Sequence, residues 1–226
     1  MRLYTFYTDT HRALLDESMG SLKRISEDTG VVIEKFPQYS ESGAFHSPGW
    51  TRTMLDKLRY IQLALKVDET FIHADCDIIY YRPFRRYIER LLSKSNLDLI
   101  FQSDSDGCAC MGFFACKPSK RVIRLFSFAS NMLEKNYFTN DQHAVNALLR
   151  DPEFSNVSYG LLGHDAYSIW RQTGGRVWEP NMGVGPMPPS VYMCHLNYTV
   201  GVENKLQLLK QFNDVVRSSL PYHLEK

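Results

Sequence analysis

The sequence predicts an α/β fold with a mixed, mostly parallel central sheet flanked by helices. Three observations carry this expectation. The chain opens strand–helix–strand: Arg2–Thr8 is rich in β-favouring residues, a moderately amphipathic stretch runs to about Asp28, and Val31–Phe36 ends at Pro37. Strands joined through a helix pair in parallel. Two longer segments, Thr51–Val67 and Ser119–Lys135, repeat apolar residues at helical spacing. Between them lies Thr70–Phe84, TFIHADCDIIYYRPF, whose β-branched and aromatic residues read as a buried strand.

The 226 residues are enough for one domain with a sizeable core, taken as 1–226. The net charge of +1 offers no broad basic face, so nucleic acid is not an expected partner. The amino terminus lacks a signal-peptide pattern and no run of eighteen apolar residues occurs. The expectation is a soluble cytoplasmic protein, or one trimmed of an anchor. Five cysteines, an odd number lying mostly in apolar strands, suit free thiols in a reducing compartment. Cys108-x-Cys110 has no second pair to complete a zinc site.

At the end of the first strand, Thr8-Asp9-Thr10-His11 is a polar turn. It either caps the following helix or, lying beyond a strand's carboxyl end, lets Thr8 and Asp9 meet a nucleotide. Residues 38–50 form a loop, with Trp50 either stacking on a ligand or anchoring the next helix. In Thr51–Val67, Met54, Leu58, Ile61 and Leu65 form a stripe, and Lys57 falls on that apolar face. Its ammonium either snorkels to the edge of the core or reaches into a cleft toward phosphate; the second is favoured because the helix leads into the acidic strand.

Within that strand, isolated buried carboxylates would be very costly. Asp75 and Asp77 are therefore placed at its carboxyl end, facing a cleft. Residues i and i+2 of an extended chain point the same way, so both acids reach one hard cation; an acidic turn is the alternative. Arg82-Pro83 turns the chain, and Phe84–Lys94 forms a short helix. Asp98–Phe101 returns to the sheet before a second Asp-x-Asp, Asp104-x-Asp106, which reads as turn chemistry because a glycine ends it. In the strand Cys110–Ala115, Gly112 lets a ligand approach the backbone.

Thr139 or Asn140 caps a helix whose first turn carries Asp141, an anion favoured at that helix end. Residues 151–192, rich in Gly, Pro and aromatics, suggest short strands and loops; His164-Asp165 within them is a structural or a catalytic pair. A last short strand, Val191–Cys194, delivers His195. The spacing His195-x5-Gly201-x3-Lys205 then opens an amphipathic helix through Leu206, Leu209 and Phe212. Imidazole on metal and ammonium on phosphate fit that arrangement.

The order hydrophobic–Asp-x-Asp–hydrophobic–Arg-Pro-Phe resembles the metal strand of GT-A glycosyltransferases, especially small nucleotide-diphospho-sugar transferases of plants, algae and large viruses. Cys110–Ala115 resembles their Asn-x-Gly-Phe-Phe strand along the donor sugar, with Cys110 where a polar residue is common. Asp141-Gln142 with Asn146 resembles their Asp-Gln-x-x-x-Asn element beside the sugar's reactive carbon. His195…Gly201…Lys205 resembles the carboxy-terminal segment of retaining GT-A enzymes, although its His–Gly spacing is longer than in the bacterial galactosyltransferases.

The resemblance implies a GT-A fold, with a nucleotide-binding half over about 1–107 and an acceptor side with the metal and phosphate segment over about 108–226. It implies a metal-dependent glycosyltransferase moving a sugar from a UDP-sugar to a glycan or glycoprotein acceptor, with retention. Asp75, Asp77 and His195 would hold Mn²⁺ or Mg²⁺. Thr8, Asp9, Lys57, Asp75, Gly112, Gly201 and Lys205 would contact the donor, and Asp141 or Gln142 would act at the sugar. Two alternatives share part of the pattern. A phosphatase of the haloacid dehalogenase kind would carry Asp-x-Asp on its first strand, whereas here two strands precede it. A non-catalytic sugar-nucleotide or glycan-binding module has no need of both acids and His195.

Overall fold

Parallel pairing begins where the chain begins. The computed structural model describes residues 1–43, 45–104, 107–163, 166–185 and 187–219. Strand β1 (Arg2–Tyr7) leads through α1 (Arg12–Arg24) to β2 (Gly30–Lys35), which pairs with it in parallel. Helix α2 (Trp50–Leu65) crosses to β3 (Phe71–Ala74), parallel to β1 on its other side. The chain continues through β4 (Ile78–Tyr80), α3 (Arg85–Lys94), β5 (Leu99–Ser103), β6 (Ala109–Cys116), α4 (Lys120–Glu134) and α5 (Asp141–Arg150). It ends with β7 (Tyr159–Leu162), β8 (Ala166–Ser168), α6 (Ile169–Gln172), β9 (Met193–His195) and α7 (Val202–Ser219). The main sheet has the order β2-β1-β3-β6-β5-β7, with β6 antiparallel to both its neighbours and the other pairs parallel. A smaller sheet is ordered β4-β9-β8.

Apolar stripes decide which helix covers which face. Leu58 and Ile61 of α2, Phe126 of α4 and Val145 of α5 pack on one side of the main sheet against Phe71, Phe101 and Phe114. Each such side chain, when fully buried, contributes about 2 kcal/mol. Ile88 and Leu92 of α3 pack on the opposite side against Ile72, Ile100 and Phe113. Leu14 and Leu15 of α1 join Leu208, Leu209 and Phe212 of α7 beneath the small sheet.

The long acidic stretch is where structure and expectation differ. Thr70–Phe84 is not one strand: β3 lies in the main sheet and β4 in the small one, and Asp75-Cys76-Asp77 is the crossing between them. The break follows from the partners on offer. Beyond Ala74, the Asp75 amide still donates to the Gly112 carbonyl (2.7 Å), but Ile78–Tyr80 is claimed by the antiparallel strand β9. Strand β6 carries a bulge against β5 between Phe101 and Gln102. Accordingly Met111 and Phe114, three residues apart, face the same core cluster. A bulge re-aims side chains in this way beside functional sites, and this one lies at Gly112.

Away from the cleft, Asp98 ties three elements. Its carboxylate accepts from Arg121 Nε (2.7 Å) and Nη2 (2.8 Å) on α4 and from the Ser158 amide (2.9 Å) before β7. Asp98→Ala leaves the Ser158 amide without this acceptor and turns the part-exposed Arg121 to water, and should lower the thermal midpoint by about 3–6 °C. A midpoint within a degree of wild type would show that the fork is idle.

Candidate active site

The parallel strands β1, β3 and β5 end along one edge of the sheet, where ligands of open α/β folds bind. A cleft of about 800 Å³ opens there, within the range of small-molecule sites. It gathers Thr8, Lys57, Asp75, Asp77, Gly112, Asp141, Gln142, His195, Gly201 and Lys205. Asp9 is not in its wall. Its carboxylate is exposed and pairs with Lys35 Nζ at 2.6 Å.

Strand pairing explains how residues far apart in sequence meet. In the β4–β9 register His195 lies opposite Ile78, and the Leu196 amide donates to the Asp77 carbonyl (3.0 Å). His195 Nε2 thereby comes 3.2 Å from Asp77 Oδ1. Asp75, Asp77 and His195 each present a ligand atom within 4.8 Å of the others. Gly112 is required directly behind them, since a β-carbon there would lie 2.1 Å from His195 Cε1. The other imidazole nitrogen, Nδ1, is 3.5 Å from Cys110 Sγ, so the cysteine in place of a polar residue is a neighbour of His195. Gly201, at φ +90°, makes the left-handed turn into α7 that glycine favours, and Lys205 in the first turns of that helix pairs with Asp77 Oδ2.

Each acid of the pair thus carries its own lysine. Lys57 is 2% exposed, and its Nζ lies 2.9 Å from Asp75 Oδ1 and 3.1 Å from Asp141 Oδ2. His73 Nε2 is 3.2 Å from Asp75 Oδ1, its ring held between Phe6 and Phe114. Burial alone would raise both carboxyls, but Lys57 and His73 lower Asp75, and Lys205 and His195 hold Asp77 well below the usual range. Burial also opposes charge on His195, yet the Asp77 carboxylate outweighs it and the imidazole is pushed up to about 10. His73, buried and beside Lys57, is lowered.

On the opposite wall, Asn140 caps α5, its side chain accepting from the Gln142 amide (2.7 Å). The Gln142 side chain is engaged at both ends: Oε1 accepts from the Met111 amide (3.2 Å) and Nε2 donates to Asp104 Oδ2 (2.7 Å). Asp104 Oδ1 also accepts from Asn197 Nδ2 (3.2 Å). Asn146 bonds both backbone groups of Ala109, at 2.9 and 2.8 Å, and so fastens α5 to the start of β6. Asp104, read from sequence as a turn residue, is therefore a cleft residue linking three segments; Asp106, His164 and Asp165 lie outside the described residues. His73 was also missed, although its position two residues before Asp75 was a signal that both face the same way. The second Asp-x-Asp marked Asp104 but not its role in the cleft, since its side-chain partners are 38 and 93 residues away.

A mostly parallel sheet with helices on both faces, and a carboxylate pair with histidine at its edge, fit the GT-A fold that the sequence resembles. The family model for nucleotide-diphospho-sugar transferases matches residues 9–209, and the chain belongs to that family. Among solved structures, it is similar to a glycosyltransferase involved in the glycosylation of the major capsid of PBCV-1, with 11% identity and a TM-score of 0.59, over 93% of this chain and 100% of that one. It is also similar to the apo-form glycosyltransferase GlyE of Streptococcus pneumoniae (13%, TM-score 0.58, 96% of this chain and 62% of that one). A third similar structure is the galactosyltransferase LgtC in complex with donor and acceptor sugar analogs (14%, TM-score 0.54, 98% of each chain). At these identities the likeness establishes the fold. No curated protein sequence gives a significant match. Among the described residues no helix is long and apolar enough to cross a membrane.

Proposed function

We propose that the cleft transfers a glycosyl group from a UDP-sugar to a glycan or glycoprotein acceptor with retention, using Mn²⁺ or Mg²⁺ held by Asp75, Asp77 and His195. The observation that carries this reading is the convergence of those three ligand atoms within 4.8 Å. Two carboxylate oxygens and one imidazole form a donor set suited to Mn²⁺. When bound, the cation supplies charge neutralisation for the departing diphosphate. Lys205, at the start of α7, contributes a second positive charge to that leaving group. The bond broken joins the anomeric carbon to the diphosphate oxygen; the bond formed joins that carbon to an acceptor hydroxyl oxygen, whose proton passes to solvent or the departing phosphate. Asp141 and Gln142, at the positive end of α5, stabilise cationic character at the sugar. None of the five cysteines is in a disulfide among the described residues, which supports a reducing compartment, the cytoplasm.

Thermal shift with a panel of nucleotide sugars, with and without Mn²⁺, tests the donor class. UDP-sugars should stabilise the protein strongly only when metal is present; equal stabilisation in EDTA would contradict the reading. The two carboxy-terminal groups should separate in calorimetry. His195→Ala should weaken Mn²⁺ by about tenfold or more, whereas Lys205→Ala should weaken UDP at saturating Mn²⁺. Wild-type binding by both variants would confine the site to Asp75 and Asp77.

A further inference from the structure

We propose that Lys57 is the resident counter-ion of the metal site rather than a phosphate ligand: a positioning residue that ties Asp75 to Asp141 and gives Asp75 up when a divalent cation binds. This rests on the metal reading above. The Lys57 side chain is 3% exposed, and its ammonium is engaged on both sides, 2.9 and 3.2 Å from the two Asp75 oxygens and 3.1 Å from Asp141 Oδ2. One buried cation thus joins a metal-ligand candidate on the β3–β4 crossing to a candidate catalytic acid on α5.

The buried Asp141 carboxylate, set beside the part-exposed Asp75, would be unfavourable with no cation between the two, so Lys57 keeps both charged before metal arrives. Lys57 would release the Asp75 oxygens it now holds to a divalent cation on binding. Lys57 keeps Asp141 as partner, so neither the ammonium nor that carboxylate is left alone. The exchange makes Lys57 a competitor for its own site and holds Asp141 in place on the opposite wall. Lys205 stands in the same relation to Asp77, but it is also proposed to meet the diphosphate. Lys57 therefore isolates the exchange.

The test is Mn²⁺ affinity without nucleotide, read as free Mn²⁺ by electron paramagnetic resonance. Lys57→Met should tighten Mn²⁺ by about tenfold or more, because a cation beside Asp75 is removed while both acids remain. General structural damage would weaken the metal instead, so the direction of the change discriminates. Lys57→Met combined with Asp141→Asn avoids a lone buried carboxylate and guards against failure to fold; it should still bind more tightly than wild type. If wild type binds Mn²⁺ and both variants bind it no more tightly, the counter-ion role is overturned while the metal site stands. If wild type binds no Mn²⁺ even with UDP present, the metal reading fails, and the exchange with it.

Discussion

Asp77→Asn should abolish the stabilisation that Mn²⁺ and UDP confer together and lower turnover by about a thousand-fold, roughly 4 kcal/mol of transition-state stabilisation. Asp77 meets His195 Nε2 at 3.2 Å and Lys205 through its other oxygen. Asparagine keeps the shape and an oxygen for the imidazole but loses the charge that a divalent cation requires. Lys205, a quarter exposed, can turn toward water, so the variant should fold with a ligand-free thermal midpoint near that of wild type. Metal-linked UDP binding unchanged in this variant would remove the centre of the account.

Gly112→Ala should impair the same site without touching a charge. Its β-carbon would meet His195 Cε1 at 2.1 Å and both ring nitrogens at 2.8 Å. The ring is buried and pinned between Asp77 and Cys110, so it has to leave or the strand has to shift. Overpacking of this kind costs about 1–3 kcal/mol, and loss of the imidazole's alignment should weaken Mn²⁺ by about 10–100-fold. Calorimetry with Mn²⁺, alongside the thermal midpoint, reads both effects. A variant with wild-type Mn²⁺ affinity would show that His195 is not held by this contact.

The α/β class was legible because periodicity is a local property: the stripe on α2 and the strand–helix–strand opening need no knowledge of partners. The end of β3 just before Asp75, facing the cleft, was legible from the cost of burying charge, but the passage of Ile78–Tyr80 into a second sheet was not, because it depends on β9, more than a hundred residues later. Most of the cleft was legible through the order of its motifs, and His195 and Lys205 were found that way. Lys57 was legible in part. Its place on an apolar face marked a buried ammonium with a polar target, but which target depends on how α2 packs against both β3 and α5. Asp104 opens the turn that its sequence suggested, the Gly107 amide donating to its carbonyl at 3.0 Å, but its side-chain links, like the contact of Cys110 with His195, were not legible because Gln142, Asn197 and His195 arrive from other strands and helices.

The most direct test is a crystal of the protein grown with Mn²⁺ and UDP, measured for anomalous scattering at the manganese edge. One strong peak is expected within about 2.0–2.6 Å of oxygens of Asp75 and Asp77 and close to a His195 nitrogen. A UDP molecule bound in the cleft with no peak among these three residues would contradict it.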